Sequence, residues 1–322
     1  MTTLLVTGVG AIIGYGILKS LRKAERNINL VGTDIYHDAV GQRWCDRFHT
    51  VPLTSDPKYL DAIRSIIVSE RVDFIIPGIE QDCHFLSDNR SHFSQWAVCL
   101  NDRRLVDVSK DKWIFYQELQ SAFPDLVIPS LDRGSFEELS DTLGLPFVVK
   151  PRRSYASKGL VVVRNAEAFA PLASGIGDRL IAQPFVGVDE EEYTIGAFGD
   201  GEGRCVASIV LQRRLAADGS TAKAVVRKDL DVGSILSRIF AHFKPVGPTN
   251  LQFRRDEQGL KLLEINPRIS SSTTIRTAFG YNEAAMALDF FFRKKTIGQP
   301  EIRSGSAVRY IEDSIIYDRD HL

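Results

Sequence analysis

The sequence predicts a doubly wound α/β opening followed by antiparallel strand pairs, and three stretches carry that prediction. Residues 3–24 read as strand, glycine turn and helix. Residues 146–163 and 180–228 read as strands separated by short polar loops. Residues 249–272, TNLQFRRDEQGLKLLEINPRISSS, read as a hairpin whose strands alternate apolar and polar side chains.

The whole chain sets the limits. Its 322 residues are 44% hydrophobic with a net charge of −1, enough for two or three domains and a poor match to broad nucleic-acid binding. Cys45, Cys83, Cys99 and Cys205 form no CxxC pair and have no histidine at zinc-finger spacing, so they are expected as thiols of a reducing compartment. The segment TTLLVTGVGAIIG is broken by glycines and lacks the basic lead-in of a secretory signal. No run approaches the ~20 apolar residues of a membrane span. A cytoplasmic location with no membrane partner is the expectation.

Taken in order, a strand at 3–7 meets the turn Gly8-Val9-Gly10 and a helix at 12–23, and a second strand, 29–33, ends at Asp34. Glycines followed by an acid roughly 20 positions on open a nicotinamide-nucleotide reading. The third glycine of that pattern falls on Ile13, with Gly14 one residue late, so the alternative is that the glycines only shape the turn. A helix at 59–70 precedes a strand at 73–76, which stops at Pro77-Gly78. Glu80 and Asp82 then lie just past its carboxyl end, where open α/β sheets bind ligands, although acids also decorate helix N-termini. After a strand at 96–100 the chain turns charged, and a first boundary falls near residue 108.

Ser109 or Asp111 caps a helix running to about 122. Lys112 in its first turn opposes the helix dipole, which suits a residue kept for an anion. In PFVVKPRRSYASKGLVVV a buried strand delivers Lys150, and a small-residue loop with Arg152, Arg153 and Lys158 follows: either a phosphate cover or a solvated basic hairpin. In the last hairpin, a three-residue loop Glu257-Gln258-Gly259 would set Gln252 opposite Glu264, with Asn266 on the same face. Leu251, Phe253, Leu263 and Ile265 would share the other, buried face. Oxygens from Gln252, Glu264 and Asn266 suit Mg²⁺, and Arg268 suits an anion; the competing reading is an ordinary amphipathic hairpin. A helix at 230–242 precedes the hairpin, a last helix spans 282–292, and a short strand, 307–311, sits in the polar tail.

In this order the pieces, above all LLEINPRISSS, resemble the ATP-grasp superfamily over nearly the whole chain. The likeness is to the branch similar to the ATP-binding halves of carbamoyl-phosphate synthetase and to stand-alone carboxylate–amine ligases. It implies α/β and α+β architecture: a Rossmann-like pre-ATP-grasp domain, 1–108, then an ATP-grasp domain, 109–322, of two subdomains divided at 180/181. It also implies ATP and Mg²⁺. Lys112 and Lys150 would meet the α- and β-phosphates. The loop with Ser154, Ser157, Lys158 and Gly159 would cover the triphosphate. Gln183, Phe185 and Val186 would form the adenine hinge, and Glu192 would take the ribose hydroxyls. Gln252, Glu264 and Asn266 would hold metal, while Arg268, with Lys150, would stabilise the transferring phosphoryl group. Three positions depart from the family pattern: Gln252 replaces an acid, Ala156 a common glycine and Gln183 a common glutamate.

The activity so implied is ATP-dependent coupling of a small carboxylic acid, through an acyl phosphate, to an amine, in secondary-metabolite or surface-polysaccharide biosynthesis. Glu80, Asp82, Arg213, Arg214 and Arg276 are the candidates for substrate contact, the partners are small molecules, and related ligases commonly form homodimers. A non-catalytic ATP-binding module and a nicotinamide oxidoreductase are the alternatives.

Overall fold

A computed structural model describes residues 1–154, 159–217 and 219–315. The N-terminal part is β1 (Thr2–Thr7), α1 (Ile12–Ala24), β2 (Ile28–Asp34), β3 (Arg47–Thr50), α2 (Tyr59–Ser69), β4 (Phe74–Ile76), α3 (Glu80–Asp88) and β5 (Ala97–Val98), the alternation the sequence predicts with β3 and α3 added to it. All four pairings in this sheet are parallel and its order is β3-β2-β1-β4-β5, so the strand order reverses beside β1. The chain leaving β1 and β4 therefore borders the crevice where such sheets bind ligands. Gly8 takes a left-handed φ of +59°, and a Cβ on Gly14 would lie 2.1 Å from the Gly8 carbonyl oxygen, so both glycines are required for the turn to close.

Two helices, α4 (Arg103–Ser109) and α5 (Lys112–Ala122), then lead to a small antiparallel sheet. It comprises α6 (Phe136–Leu143), β6 (Phe147–Pro151), β7 (Val161–Val163), α7 (Ala166–Phe169) and β8 (Leu180–Pro184), in strand order β7-β6-β8. Ser135 and Glu138 cap α6 reciprocally, and Phe136, Phe147 and Phe169 pack together beneath the sheet. Because β8 pairs with β6 along its whole length, the chain leaves this sheet after residue 184 and not at 180.

The remaining elements are β9 (Glu192–Asp200), β10 (Cys205–Leu215), β11 (Thr221–Val226), α8 (Gly233–Phe243), β12 (Val246–Asp256), β13 (Gly259–Asn266), α9 (Thr273–Ala278), α10 (Glu283–Ala287) and β14 (Ser306–Val308). The six strands form one antiparallel sheet, β13-β12-β9-β10-β11-β14. Tyr193, Ile195, Leu251, Phe253, Leu262 and Ile265 fill one core with α5 and α8. Each such side chain contributes about 1.5–3 kcal/mol on burial. The opposite face carries Glu192, Arg213, Asn250 and Gln252 together with a second apolar cluster, Phe198, Ile209, Leu211 and Ala224, packed on Ile275 and Tyr281.

The hairpin closes differently from the expectation. Asp256 faces Gly259 across a two-residue turn, and a bulge at Leu263 restores the register, so Gln252 does face Glu264. The extra residue changes which leucine is buried: Leu262 is 2% exposed in the core, while Leu263 turns to the cleft.

The N-terminal sheet is fixed to the C-terminal half through α1, which packs on α9 and α10. Ser20 and Thr277 hydroxyls meet at 2.9 Å, and Asn282 donates to the Ser20 carbonyl at 2.8 Å. The buried Asn101 amide donates to Thr249 Oγ1 at 2.8 Å and accepts from the Val246 N–H at 2.8 Å, tying the first boundary to β12.

Candidate functional site

A cleft of about 850 Å³ lies between the small sheet and the polar face of the six-stranded sheet, bordered at one end by the segments that follow β1 and β4. Twelve of the sequence-predicted site residues fall in the described regions, and all but Gly159 line it: Lys112, Lys150, Ser154, Gln183, Phe185, Val186, Glu192, Gln252, Glu264, Asn266 and Arg268; Glu80 and Arg213, from the substrate candidates, line it too.

Cations enter from the small-sheet side. Asp111 caps α5 by accepting from the Trp113 and Ile114 N–H groups, and the same carboxylate binds Arg152 at 3.0 Å and Arg153 at 3.3 Å. Lys112, the first helical residue, reaches Ser154, donating to its carbonyl at 2.9 Å and its hydroxyl at 3.2 Å. Lys150 stands one strand end away, with no hydrogen bond or ion pair to any described residue. Burial pushes its ammonium down to about 8, Lys112 adds repulsion, and Glu264 partly opposes both. A half-buried cation without a side-chain partner calls for an anion. Gly159 is exposed with a φ of +77° and packs on the Pro151 ring outside the cleft lining. Ser157 and Lys158 lie outside the described residues.

Oxygens come from the hairpin. Asn266 Nδ2 donates to Glu264 Oε1 at 2.9 Å, and Asn266 Oδ1 accepts from Arg268 at 3.2 Å. Burial works against the Glu264 carboxylate, but Lys112, the Asn266 hydrogen bond, Arg268 and Lys150 together hold it below the usual carboxylate range. It is thus a charged hard-oxygen donor at neutral pH. Glu264 and the Asn266 carbonyl oxygen could hold a divalent cation. Gln252 is otherwise engaged: its Oε1 accepts from Arg213 at 2.5 Å.

Glu192 is 3% exposed, with Oε1 on Arg213 at 2.9 Å and Oε2 on Arg254 at 3.0 Å. Arg254 also reaches Asp189 at 2.9 Å and lies over the Phe185 ring, 5.8 Å from its centroid. Sequence reasoning missed Arg254. The signal was its place two residues after Gln252, on the same strand face. Asn250, two residues before Gln252, is missed in the same way and also lines the cleft.

Among the substrate candidates, Glu80 accepts from Arg268 at 2.9 Å at the cleft edge. Three others are corrected. Asp82 is 3% exposed outside the cleft, accepting from the Tyr59 hydroxyl at 2.7 Å, with its carboxyl pushed up to about 6 chiefly by burial. Arg276 is fully buried against Glu283 at 3.1 Å and also donates to Thr194 and Asn250, so it fastens α9 to the sheet. Arg214 points away from the cleft lining and pairs with Glu190 at 3.1 Å. In the glycine turn, Asp34 accepts from the Gly10 N–H at 2.7 Å and the Tyr36 N–H at 3.1 Å, so each carboxylate oxygen is engaged in shaping the turn.

Comparisons with known proteins follow the same geometry. Residues 179–314 match the family described as ATP-grasp in the biosynthetic pathway with Ter operon, and residues 4–100 match the PylC-like N-terminal domain. A formate-dependent phosphoribosylglycinamide formyltransferase from Methanocaldococcus jannaschii is 28% identical over 52% of this chain and 45% of its own length. One from Burkholderia pseudomallei is 24% identical over 63% of this chain and 51% of its own, so the chain spans about half the length of these relatives. In structure, N5-carboxyaminoimidazole synthetase from Staphylococcus aureus, complexed with ADP, superposes with a TM-score of 0.73 at 18% identity, covering 94% of this chain and 80% of that one. L-amino acid ligase from Bacillus licheniformis gives 0.69 at 14% identity, covering 94% and 78%. The chain thus carries a match to an ATP-grasp family model over residues 179–314 and to a PylC-like N-terminal model over residues 4–100, and it shares the fold of these two solved structures.

Proposed function

We propose that the protein is an ATP-dependent ligase that joins a small carboxylic acid to an amine. The observation that carries this reading is the convergence, on one cleft, of the unpartnered Lys150, Lys112 and Arg268 with the ionised Glu264. Such a set suits phosphoryl transfer, which asks for positioning and charge neutralisation more than for covalent help from the protein. The relatives named above support it, as does a family description that places its members in a biosynthetic pathway.

In this reading Lys112 and Lys150 bind the polyphosphate. The backbone of residues 183–186 meets the adenine edge, and Glu192, oriented by Arg213 and Arg254, accepts from the ribose. Glu264 and Asn266 hold Mg²⁺, which when bound neutralises phosphate charge. A carboxylate oxygen attacks the γ-phosphorus, the bond to ADP breaks, and Arg268 holds the charge on the phosphoryl oxygens. The amine then attacks the acyl carbon, phosphate leaves, and the amine releases its proton. Ile12, Ile13 and Ile79, beside Glu80 and Ser271, form the end of the cleft assigned to the acceptor. The division into a pre-ATP-grasp domain and two gripping subdomains follows the three sheets, and a cytoplasmic, small-molecule enzyme is the setting proposed.

Incubation of the purified protein with Mg·ATP and pooled carboxylic acids and amines tests the reading. ADP release that needs both pools, with an amide product by mass spectrometry, is the expected result. Tight nucleotide binding with no ADP released from any pool would replace it with a non-catalytic nucleotide-binding module.

A further inference from the structure

The polar face of the six-stranded sheet holds one arginine, Arg213, to which the reaction proposed above gives no task beyond orienting Glu192. Arg213 is 4% exposed, yet it borders the cleft. Its Nη2 is shared between Glu192 Oε1 at 2.9 Å and Gln252 Oε1 at 2.5 Å, while its buried Nε has no partner among the described residues. A guanidinium is a permanent charge, and here it cannot swing away without leaving the equally buried Glu192 short of one of its two cations.

The hairpin beside it is poor in anionic oxygen. Among the described residues no group of three or more His, Cys, Asp or Glu could hold a metal. Of the three hairpin ligands that sequence reasoning named, one is a carboxylate, Glu264, and one, Gln252, offers its oxygen to Arg213 instead. A second divalent cation beside the first needs at least one protein oxygen of its own as well as phosphate oxygens, and the one the hairpin could offer, on Gln252, is taken by Arg213. A cation placed on Gln252 would also stand against a fixed guanidinium. Glu264 with Asn266, whose amide orientation is set by its bond to the carboxylate, is left as a pair suited to a single ion.

We infer that this cleft takes one divalent cation per nucleotide, on Glu264 and Asn266, and that the Arg213 guanidinium, held by Glu192 and Gln252, occupies the place of a second. This rests on the nucleotide-binding reading. It adds that Gln252 is a positioning residue for Arg213 and not a metal ligand. The Arg213 guanidinium at the cleft wall is then a built-in counter-charge that does not depend on free metal concentration.

Mn²⁺ titration by electron paramagnetic resonance, at saturating adenylyl imidodiphosphate, counts the bound ions directly, and calorimetry on the same sample reports the nucleotide. One tightly bound Mn²⁺ per chain is expected for the wild type. Arg213→Met combined with Gln252→Glu, which removes the guanidinium and supplies a carboxylate, should take up a second. Gln252→Glu alone should stay at one ion, because the new carboxylate pairs with Arg213. Two ions in the wild type with nucleotide bound would overturn the inference and leave the nucleotide site standing. Absence of nucleotide binding by calorimetry would overturn both. The wild-type count is decisive even where the double variant fails to fold.

Discussion

Glu80, the first residue of α3, and Arg268, two residues past the end of β13, are 188 positions apart and meet in an ion pair of 2.9 Å. The contact joins the carboxyl edge of the N-terminal parallel sheet to the hairpin that carries Glu264, so it crosses the seam at which the proposed acceptor and phosphoryl donor come together. Arg268 also donates to Asn266 Oδ1 and to the Ile269 carbonyl, so both terminal nitrogens of the guanidinium are held.

Glu80→Gln should therefore act on turnover more than on folding. Both side chains are partly open to solvent, and such pairs contribute up to about 1 kcal/mol. Denaturant melts should move within that limit, while kcat/KM for the acceptor falls by about 10- to 100-fold as the reacting groups lose alignment. Unchanged kinetics alongside an unchanged melt would remove Glu80 from the site.

Lys150 should make nucleotide binding proton-linked. Its folded-state value of about 8 lies below the ordinary 10.5, so between these the empty protein sheds the proton before the unfolded chain does. This group then penalises the empty fold fully below about pH 8, and the penalty fades as pH rises toward 10.5. A triphosphate would raise the value again. Calorimetry in two buffers of different ionisation enthalpy should find uptake of about half a proton per nucleotide at pH 8 and almost none at pH 6.5. Lys150→Met should abolish the buffer dependence.

The Arg276–Glu283 pair is a test of architecture alone. Both side chains are fully buried, and Glu283→Gln leaves a guanidinium short of its counter-charge, a loss of about 3–5 kcal/mol in urea melts. A loss below about 1 kcal/mol would show that Thr194 and Asn250 suffice to hold Arg276.

Asp34→Ala probes the glycine turn. Removing the acceptor of the Gly10 N–H should cost about 1–3 kcal/mol of stability, with nucleotide affinity unchanged. A large loss of nucleotide affinity in a well-folded variant would return Asp34 to the binding machinery.

The parts of this architecture that local chemistry dictates were legible in the sequence. Gly8, the Asp111 cap and the alternation through β12 and β13 act over a few residues each, so their elements fall where the pattern puts them. The Gln252–Glu264 pairing was reached through the wrong turn: a two-residue loop and a bulge at Leu263 give the register that a three-residue loop would have given. A bulge has no composition of its own, and Leu262 and Leu263 are interchangeable until it is seen. The charged residues were harder, because an arginine reads alike on a cleft wall and in a core. Arg276 and Asp82 find their partners, Glu283 and Tyr59, only once helices pack. The Arg213–Glu192–Arg254 row depends on strands β10, β9 and β12 lying side by side, an order fixed by topology and not by spacing.

The most direct measurement is thermal stability with Mg·ATP, with ATP plus chelator, and with NAD(P)H, for the wild type and Glu264→Ala. A ligand at ~100 times its dissociation constant adds about 2.7 kcal/mol to the folded state. The account predicts a magnesium-dependent rise with ATP that Glu264→Ala weakens, and no rise with NAD(P)H. Stabilisation by NAD(P)H alone would contradict it and move the working site from the hairpin to the glycine turn.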